Sequence, residues 1–571
     1  MRRRTPSPAV PGGTADMILL GAGVVTLDPD RPRAGAIAVR GDRILAVGSE
    51  AETLPLAGAA TTVRRLDGRT ILLGLIDGHA HLDREGLKGR LPSLAGVGSI
   101  ESLVERLRSL ARERPPGTWI VTMPFGAPPF YAWSAEQLLE RRWPDRHDLD
   151  RASTDHPIFI RPPWGFWPGT GPNPCFANSA ALALAGIGRA TRSPSEMLVI
   201  DRDAAGEPTG VFWEQARMPL AEFTLFATAP NFTDADRCEG LLESMRLYNR
   251  AGTTSVVEAH GVAPAVVRAW QTARDAGRQT VRAHLMLSPG WGRAGPEEVR
   301  ALAQSWLGWL RGRGLGDEWL AMSGLYTEIE PGEERLLRAR CAPQTGWAGF
   351  LYDAALPREA VRALVIEAAR SGIRVSGVYQ NLLELYREAD RVAPIGGQRW
   401  LLGHQMRLDR SQIDLARDLG IGLTTHTNAH IWKQGGELVR AAGPQAGDIV
   451  PVRSLLEAGV RVALGTDNVP ISLFGPISHL VGRTDRNGLP VAPAQAVSVE
   501  EALACCCVNG AWLSFEENRK GRLRAGFLAD LVVLDRDPLA CTAAEIAGLV
   551  PAATMVGGRW VWERPDRAEW S

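Results

Sequence analysis

The segment Asp77-Gly78-His79-Ala80-His81-Leu82-Asp83 follows directly on the apolar pair Leu75-Ile76. Residues i and i+2 on a strand face the same side, so His79 and His81 at a strand end can grip one ion together. A later apolar run ends in Gly465-Thr466-Asp467-Asn468. A carboxylate in that position can ligate the ion and accept the proton of a bound water. His426 and His430 follow the run IGLTTH (421–426), with Asn428 between them. One of that pair can ligate or polarise a carbonyl, and ordinary hydrogen-bonded histidines are the competing reading. His260 ends Val257-Glu258-Ala259-His260 and is a further candidate. His284 sits inside an apolar run and reads as core, and His147, His156 and His479 read as structural.

Groups this far apart in sequence need a scaffold that gathers strand ends. Between about residues 75 and 515, short apolar runs alternate with longer amphipathic ones. The runs are 75–79, 119–123, 157–161, 253–259, 281–287, 373–379, 421–426 and 462–467; helical patterns include 101–114 and 358–372. Such alternation predicts a parallel α/β fold. A (β/α)8 TIM barrel uses about 250 residues, so this stretch must hold large insertions, placed near 124–240 and 290–345. Residues 17–74 and 516–571 instead show alternating β segments with Gly-Asp and Asp-Gly turns. Those two ends can pair into one small β-sandwich, leaving 1–16 as a disordered tail.

Composition narrows the function. The 571 residues carry 64 basic and 64 acidic side chains, so net charge gives no case for nucleic acid or an anionic membrane. No apolar run reaches the 18 or more residues of a membrane span. Seven cysteines, an odd number, form no disulfide framework, and adjacent Cys505, Cys506 and Cys507 read as small buried helix residues. A cytoplasmic setting is expected. Only Lys88, Lys433 and Lys520 are lysine, and none lies between Gly89 and Trp432. No lysine nucleophile, Schiff base or carboxylated-lysine bridge can come from that stretch.

Leu75-Ile76-Asp77-Gly78-His79-Ala80-His81 resembles the first-strand motif of the amidohydrolase superfamily. Asn178-Ser179-Ala180-Ala181-Leu182, Gly210-Val211-Phe212-Trp213-Glu214, Gly465-Thr466-Asp467 and Phe515-Glu516-Glu517 through Lys520-Gly521 are similar to its amidohydrolase-3, or YtcJ-like, branch. So is the closing stretch from Gly526 to Asp535. The resemblance runs from about Met17 to Glu563. It implies a distorted (β/α)8 barrel flanked by a β-sandwich from both termini. It also implies a metal-activated water attacking an amide, carbamate, urea or amidine C–N bond.

The departures from that pattern matter as much. Where the branch has a lysine, this chain has Gly324-Leu325-Tyr326-Thr327-Glu328. A family histidine is missing from Val375-Ser376-Gly377-Val378-Tyr379-Gln380, and another from Gly169-Thr170-Gly171. His404 alone is kept from a Glu-His pair, in Gly403-His404-Gln405. Without a bridging lysine the resemblance implies one divalent ion, zinc before manganese or iron, on His79, His81, His404 and Asp467. Glu214 is a lesser candidate ligand, with a surface role equally open. Asp467, His426 and His430 are the candidate catalytic groups.

The expected activity is hydrolysis of a non-peptide C–N bond in a small organic molecule. The rival readings are a mononuclear-metal deaminase of an aminated heterocycle, and a barrel that has lost catalysis and keeps a binding role. Arg161-Pro162-Pro163-Trp164-Gly165-Phe166-Trp167-Pro168, with Pro128, Phe130, Tyr131 and Trp133, can roof an aromatic or apolar substrate; plain packing is the alternative. The expected partner is that small substrate, with a homodimer as the assembly considered.

Overall fold

The computed structural model describes residues 13–128, 131, 134–163, 172–215, 219–288, 295–329 and 355–565. Phe130, Trp133, the segment 164–171 and much of the expected 290–345 insertion lie outside the described residues. Eight parallel strands form one sheet: Leu75–Asp77, Thr253–Val262, Arg282–Leu287, Leu320–Tyr326, Val375–Val378, Leu401–Gly403, Gly422–Thr425 and Arg461–Leu464. The first and last meet, with Gly78 N donating to Leu464 O at 2.8 Å, so the sheet curls into a barrel. All ten residues of the second strand are buried, as expected for a strand covered on both faces.

The helices around the barrel start and stop on local signals. Asp409 and Gln412 form a reciprocal cap that opens Arg410–Asp418, and Thr233 and Asp236 do the same for Asp234–Arg250. Helix Arg358–Ser371 ends where Gly372 turns left-handed at φ 69°, which glycine adopts without a Cβ clash. Cys505, Cys506 and Cys507 are buried at the end of helix Val499–Cys506, as small packing residues.

Two of the expected strands are not in the barrel. Ile120–Thr122 and Ile158–Ile160 pair in parallel with each other, and the sheet continues through Asn173–Ala177, Pro208–Glu214 and Leu198–Arg202 in antiparallel pairing. This five-stranded sheet belongs to the insertion between the first and second barrel strands. The barrel takes Leu320–Tyr326 and Leu401–Gly403 in their place.

The chain ends also combine. Thr70–Leu73 pairs with Leu531–Leu534 in a six-stranded sheet that runs on through Pro551–Val556 and Arg559–Glu563. A four-stranded sheet is built from Ala15–Leu20, Ala36–Arg40, Arg43–Gly48 and Ala57–Arg65. Arg282, from the third barrel strand, clamps Asp530 at 2.8 Å and ties the barrel to the sheet that Leu531 begins. Among the described residues no helix is long and apolar enough to cross a membrane.

His284 is buried as expected, but it is not an apolar core residue. Its Nδ1 lies 2.7 Å from Ser323 Oγ and its Nε2 3.1 Å from Glu516 Oε2. Glu516 is also 2.5 Å from Lys520 Nζ, and Lys520 Nζ donates to Ser255 Oγ at 3.2 Å. Burial works against ionising Glu516, yet Lys520 and His284 outweigh it and hold the carboxyl well below its usual range. All three lysines of the chain are buried, at 6%, 5% and 4% exposure for Lys88, Lys433 and Lys520.

Breaking a buried ion pair on one side leaves the other charge stranded, at a cost of roughly 3–5 kcal/mol. Glu516→Gln should therefore lower the free energy of unfolding by an amount of that order, measured by urea unfolding. Inside the insertion, Glu214 is buried and accepts from Ala221 N at 2.7 Å. Burial, with Glu222 nearby, pushes its carboxyl up to about 8. A raised folded value means its stabilising protonation is complete below the ordinary carboxyl range and is lost as pH rises through about 8. Glu214→Gln should thus gain thermal stability relative to the wild type as pH rises from 5 to 9, read as a widening Tm difference.

Candidate metal centre

The strand ends carry the site. Asp77 closes the first barrel strand, and its carboxylate accepts from His79 N at 3.0 Å, Thr466 N at 3.1 Å and Thr466 Oγ1 at 2.5 Å. That one side chain ties the His79 segment to the Asp467 segment, and Asp467 N donates back to His79 O at 3.0 Å. Gly465 leaves room for this approach, since a Cβ there would stand 2.6 Å from His79 Cβ. Asp467, Asn468 and His404 all have left-handed backbones, at φ 52°, 49° and 54°. Side-chain-bearing residues enter that region at a cost, which clusters at functional sites.

Four predicted residues come together. His81 Nε2 makes a short contact with Asp467 Oδ1. His79 Nε2 and His404 Nε2 each lie 3.7 Å from the same oxygen and 3.1 Å from one another. His426 Nε2 approaches the other oxygen, Oδ2, at 3.3 Å. His430 lies behind His426 with its ring tilted by 43° and ring centres 5.3 Å apart, on a wide π-type turn over Asn428–Lys433. Such turns are frequent at functional sites. Asn428 pins this turn to the Asp467 loop by donating to Thr466 O at 2.8 Å.

Glu214 is not part of this group. It lies in the insertion sheet beside Cys175, with Sγ 3.9 Å from its Oε1, and its pull there is on the Ala221 amide. His260 is closer to the centre than a strand-end position alone implied, with its ring 3.7 Å from that of His81. Six of the ten histidines, at 79, 81, 260, 404, 426 and 430, form one continuous series of ring contacts. Of the expected aromatic roof, Tyr131 is buried among Val121, Met123 and Phe159 in the core of the insertion. His156 bonds Ser153 and His479 stacks on Trp432, both away from the donors just named.

The electrostatics suit a cation. Burial, reinforced by the neighbouring histidines, pushes His79 and His426 well below the ordinary imidazole range. Burial and Arg84 do the same for His81, and His430 falls to about 3. Burial alone would raise Asp467, but His426, His81 and His404 outweigh it and hold its carboxyl well below the usual range. Neutral imidazoles around one ionised carboxylate are the donor set of a divalent metal. One atom each from His79, His404 and Asp467 lies within 4.8 Å of the others, so the residues present fit such an ion. Lys433 is buried nearby, and burial pushes it down to about 8.

The chain matches the model of a family described as the amidohydrolase family over residues 63–562. It is 30% identical to an N-substituted formamide deformylase from Arthrobacter pascens, across 96% of this chain and 98% of that one. A putative amidohydrolase, YtcJ, from Bacillus subtilis (strain 168) is 22% identical across 95% of this chain and 99% of its own. The fold is shared with an uncharacterized metal-dependent hydrolase from Pyrococcus horikoshii OT3, at a TM-score of 0.66 and 19% identity, covering 92% of this chain and 99% of that one. A (β/α)8 barrel that gathers histidines and an aspartate at its strand ends, matched along most of its length, belongs to the amidohydrolase family: the chain is a metal-dependent hydrolase of C–N bonds in small molecules.

Proposed function

We propose that His79, His81, His404 and Asp467 hold one catalytic divalent ion, zinc, and that the substrate is an N-substituted formamide or a closely similar small amide. The convergence of three imidazole nitrogens on a single oxygen of an ionised Asp467 carries the metal assignment. Nitrogen and carboxylate donors of these types suit zinc. The likeness to a formamide deformylase along nearly the whole of both chains supports the substrate class. Buried Cys175, Cys505, Cys506 and Cys507, all free thiols, favour a reducing compartment, the cytoplasm.

When bound, the ion supplies the Lewis acidity that makes water a nucleophile near neutral pH. Asp467 is ionised and faces both the ligand histidines and His426, so it accepts the proton of the attacking water and returns it to the departing nitrogen. His426 and His430 stay neutral and can donate to the carbonyl oxygen as charge develops there. His426 is buried, and Asp467 and His430 are only partly exposed, which limits the access of bulk water to the protons.

Purified enzyme with zinc should release formate and a primary amine from N-substituted formamides, followed by liquid chromatography. Ammonia released from aminated heterocycles, with no amide consumed, would overturn this reading in favour of deamination. His79→Ala should abolish turnover while circular dichroism stays unchanged. Asp467→Asn should lower kcat by roughly 10²–10⁴-fold, the usual contribution of a positioned acid–base group. Unimpaired kcat in either variant refutes the assignment.

A further inference from the structure

Beside the four-donor group lies a second cluster that the hydrolytic chemistry leaves unused. Asp83 stands two residues after His81, and Glu258 and His260 come from the second barrel strand. One atom from each of Asp83, Glu258 and His260, together with His81, lies within 4.8 Å of the others. His260 Nε2 is 3.6 Å from Asp83 Oδ1, and His260 Nδ1 is 3.5 Å from Glu258 Oε2. These gaps are too long for hydrogen bonds. They are close to the separation of about 3.4 Å that neighbouring donors take around a tetrahedral zinc.

The carboxylates point to what belongs there. The Asp83 side chain is fully buried, and neither of its oxygens has a hydrogen-bond partner. Glu258 gives Oε1 to Leu82 N at 2.9 Å, while its buried Oε2 has no hydrogen-bond partner. Buried carboxylates are normally paired, hydrogen-bonded or bound to metal. Arg84 Nε stands 3.6 Å from Asp83 Oδ1, but its Nη2 is committed to His81 Nδ1 at 2.6 Å. Arg237, also buried, acts on Asp83 through space, yet neither Asp83 oxygen nor Glu258 Oε2 receives a hydrogen bond from either guanidinium.

We propose that Asp83, Glu258 and His260 bind a second divalent cation, of the zinc or manganese class, separate from the catalytic ion. Two carboxylates and one imidazole suit these borderline ions. The ion would fix the His260 ring, which lies 3.7 Å from that of His81, and so brace a ligand of the catalytic centre from behind. The proposal does not depend on the substrate or on the roles given to Asp467 and His426.

The test is metal content. Holoenzyme stripped with chelator, reloaded with zinc and desalted should hold two ions per chain by inductively coupled plasma mass spectrometry. Asp83→Asn and Glu258→Gln should each hold one. His404→Asn should also lose one, from the other centre. Crystals of the loaded wild type should show an anomalous zinc peak bonded to Asp83, Glu258 and His260, a result that needs no variant to fold. Saturation of the wild type at one ion, a second peak elsewhere, or two ions retained in both carboxylate variants would overturn the proposal. One ion with full turnover would remove this site and leave the catalytic reading standing, whereas loss of the peak at His79 and Asp467 would remove that reading instead.

Discussion

The Asp77 carboxylate is the point on which site and scaffold both depend. It takes three hydrogen bonds, one from the His79 amide and two from Thr466, and so joins the first barrel strand to the loop after the last. The seam that closes the barrel is therefore also the device that sets His79 and His81 opposite Asp467. Side-chain placement is inherited from strand pairing: the Asp467 amide bonds the His79 carbonyl, and His79 Nε2 and Asp467 Oδ1 lie 3.7 Å apart. Close approach of the two segments requires glycine at 465, and Gly78 is likewise hemmed in, with Ala463 Cβ and Leu464 O both 3.0 Å from where a Cβ would sit.

That arrangement is expensive for the fold. Several imidazoles are buried in neutral form, and left-handed backbone is accepted at His404, Asp467 and Asn468. Deep carboxylates with few donors add to the cost at Asp83 and Glu258. The opposite end of the barrel shows the reverse economy. His284, Glu516, Lys520 and Ser255 there satisfy one another, and Arg282 with Asp530 joins barrel to sandwich. Stability at one end and strain at the other is the division expected of a barrel whose strand ends carry function.

How much of this could be read in advance depended on how local the signal was. His79 and His81 were legible because strand geometry puts i and i+2 on one face, and Asp467 because it ends an apolar run. His404 follows a strand only three residues long, Leu401–Gly403, too short for any periodicity, and only family likeness pointed to it. Runs 119–123 and 157–161 resembled barrel strands because buried strands of either sheet are continuous apolar segments, and only pairing distinguishes them. Glu214 shows the limit of a motif: the match was real, yet the residue serves the insertion core. Asp83 and Glu258 meet across a sequence separation of 175, and no spacing rule announces such a contact.

The burial of Lys88, Lys433 and Lys520 gives the scarce lysines a meaning beyond composition. Every basic side chain on the described surface is arginine or histidine, so the outside of the folded molecule offers no lysine ε-amine. Side-chain amines become accessible only when the barrel opens at its floor, beneath the Asp467 loop or along the turn that follows His81. Modification of the lysines is thereby a report on opening, with each lysine assigned to a different part of the barrel.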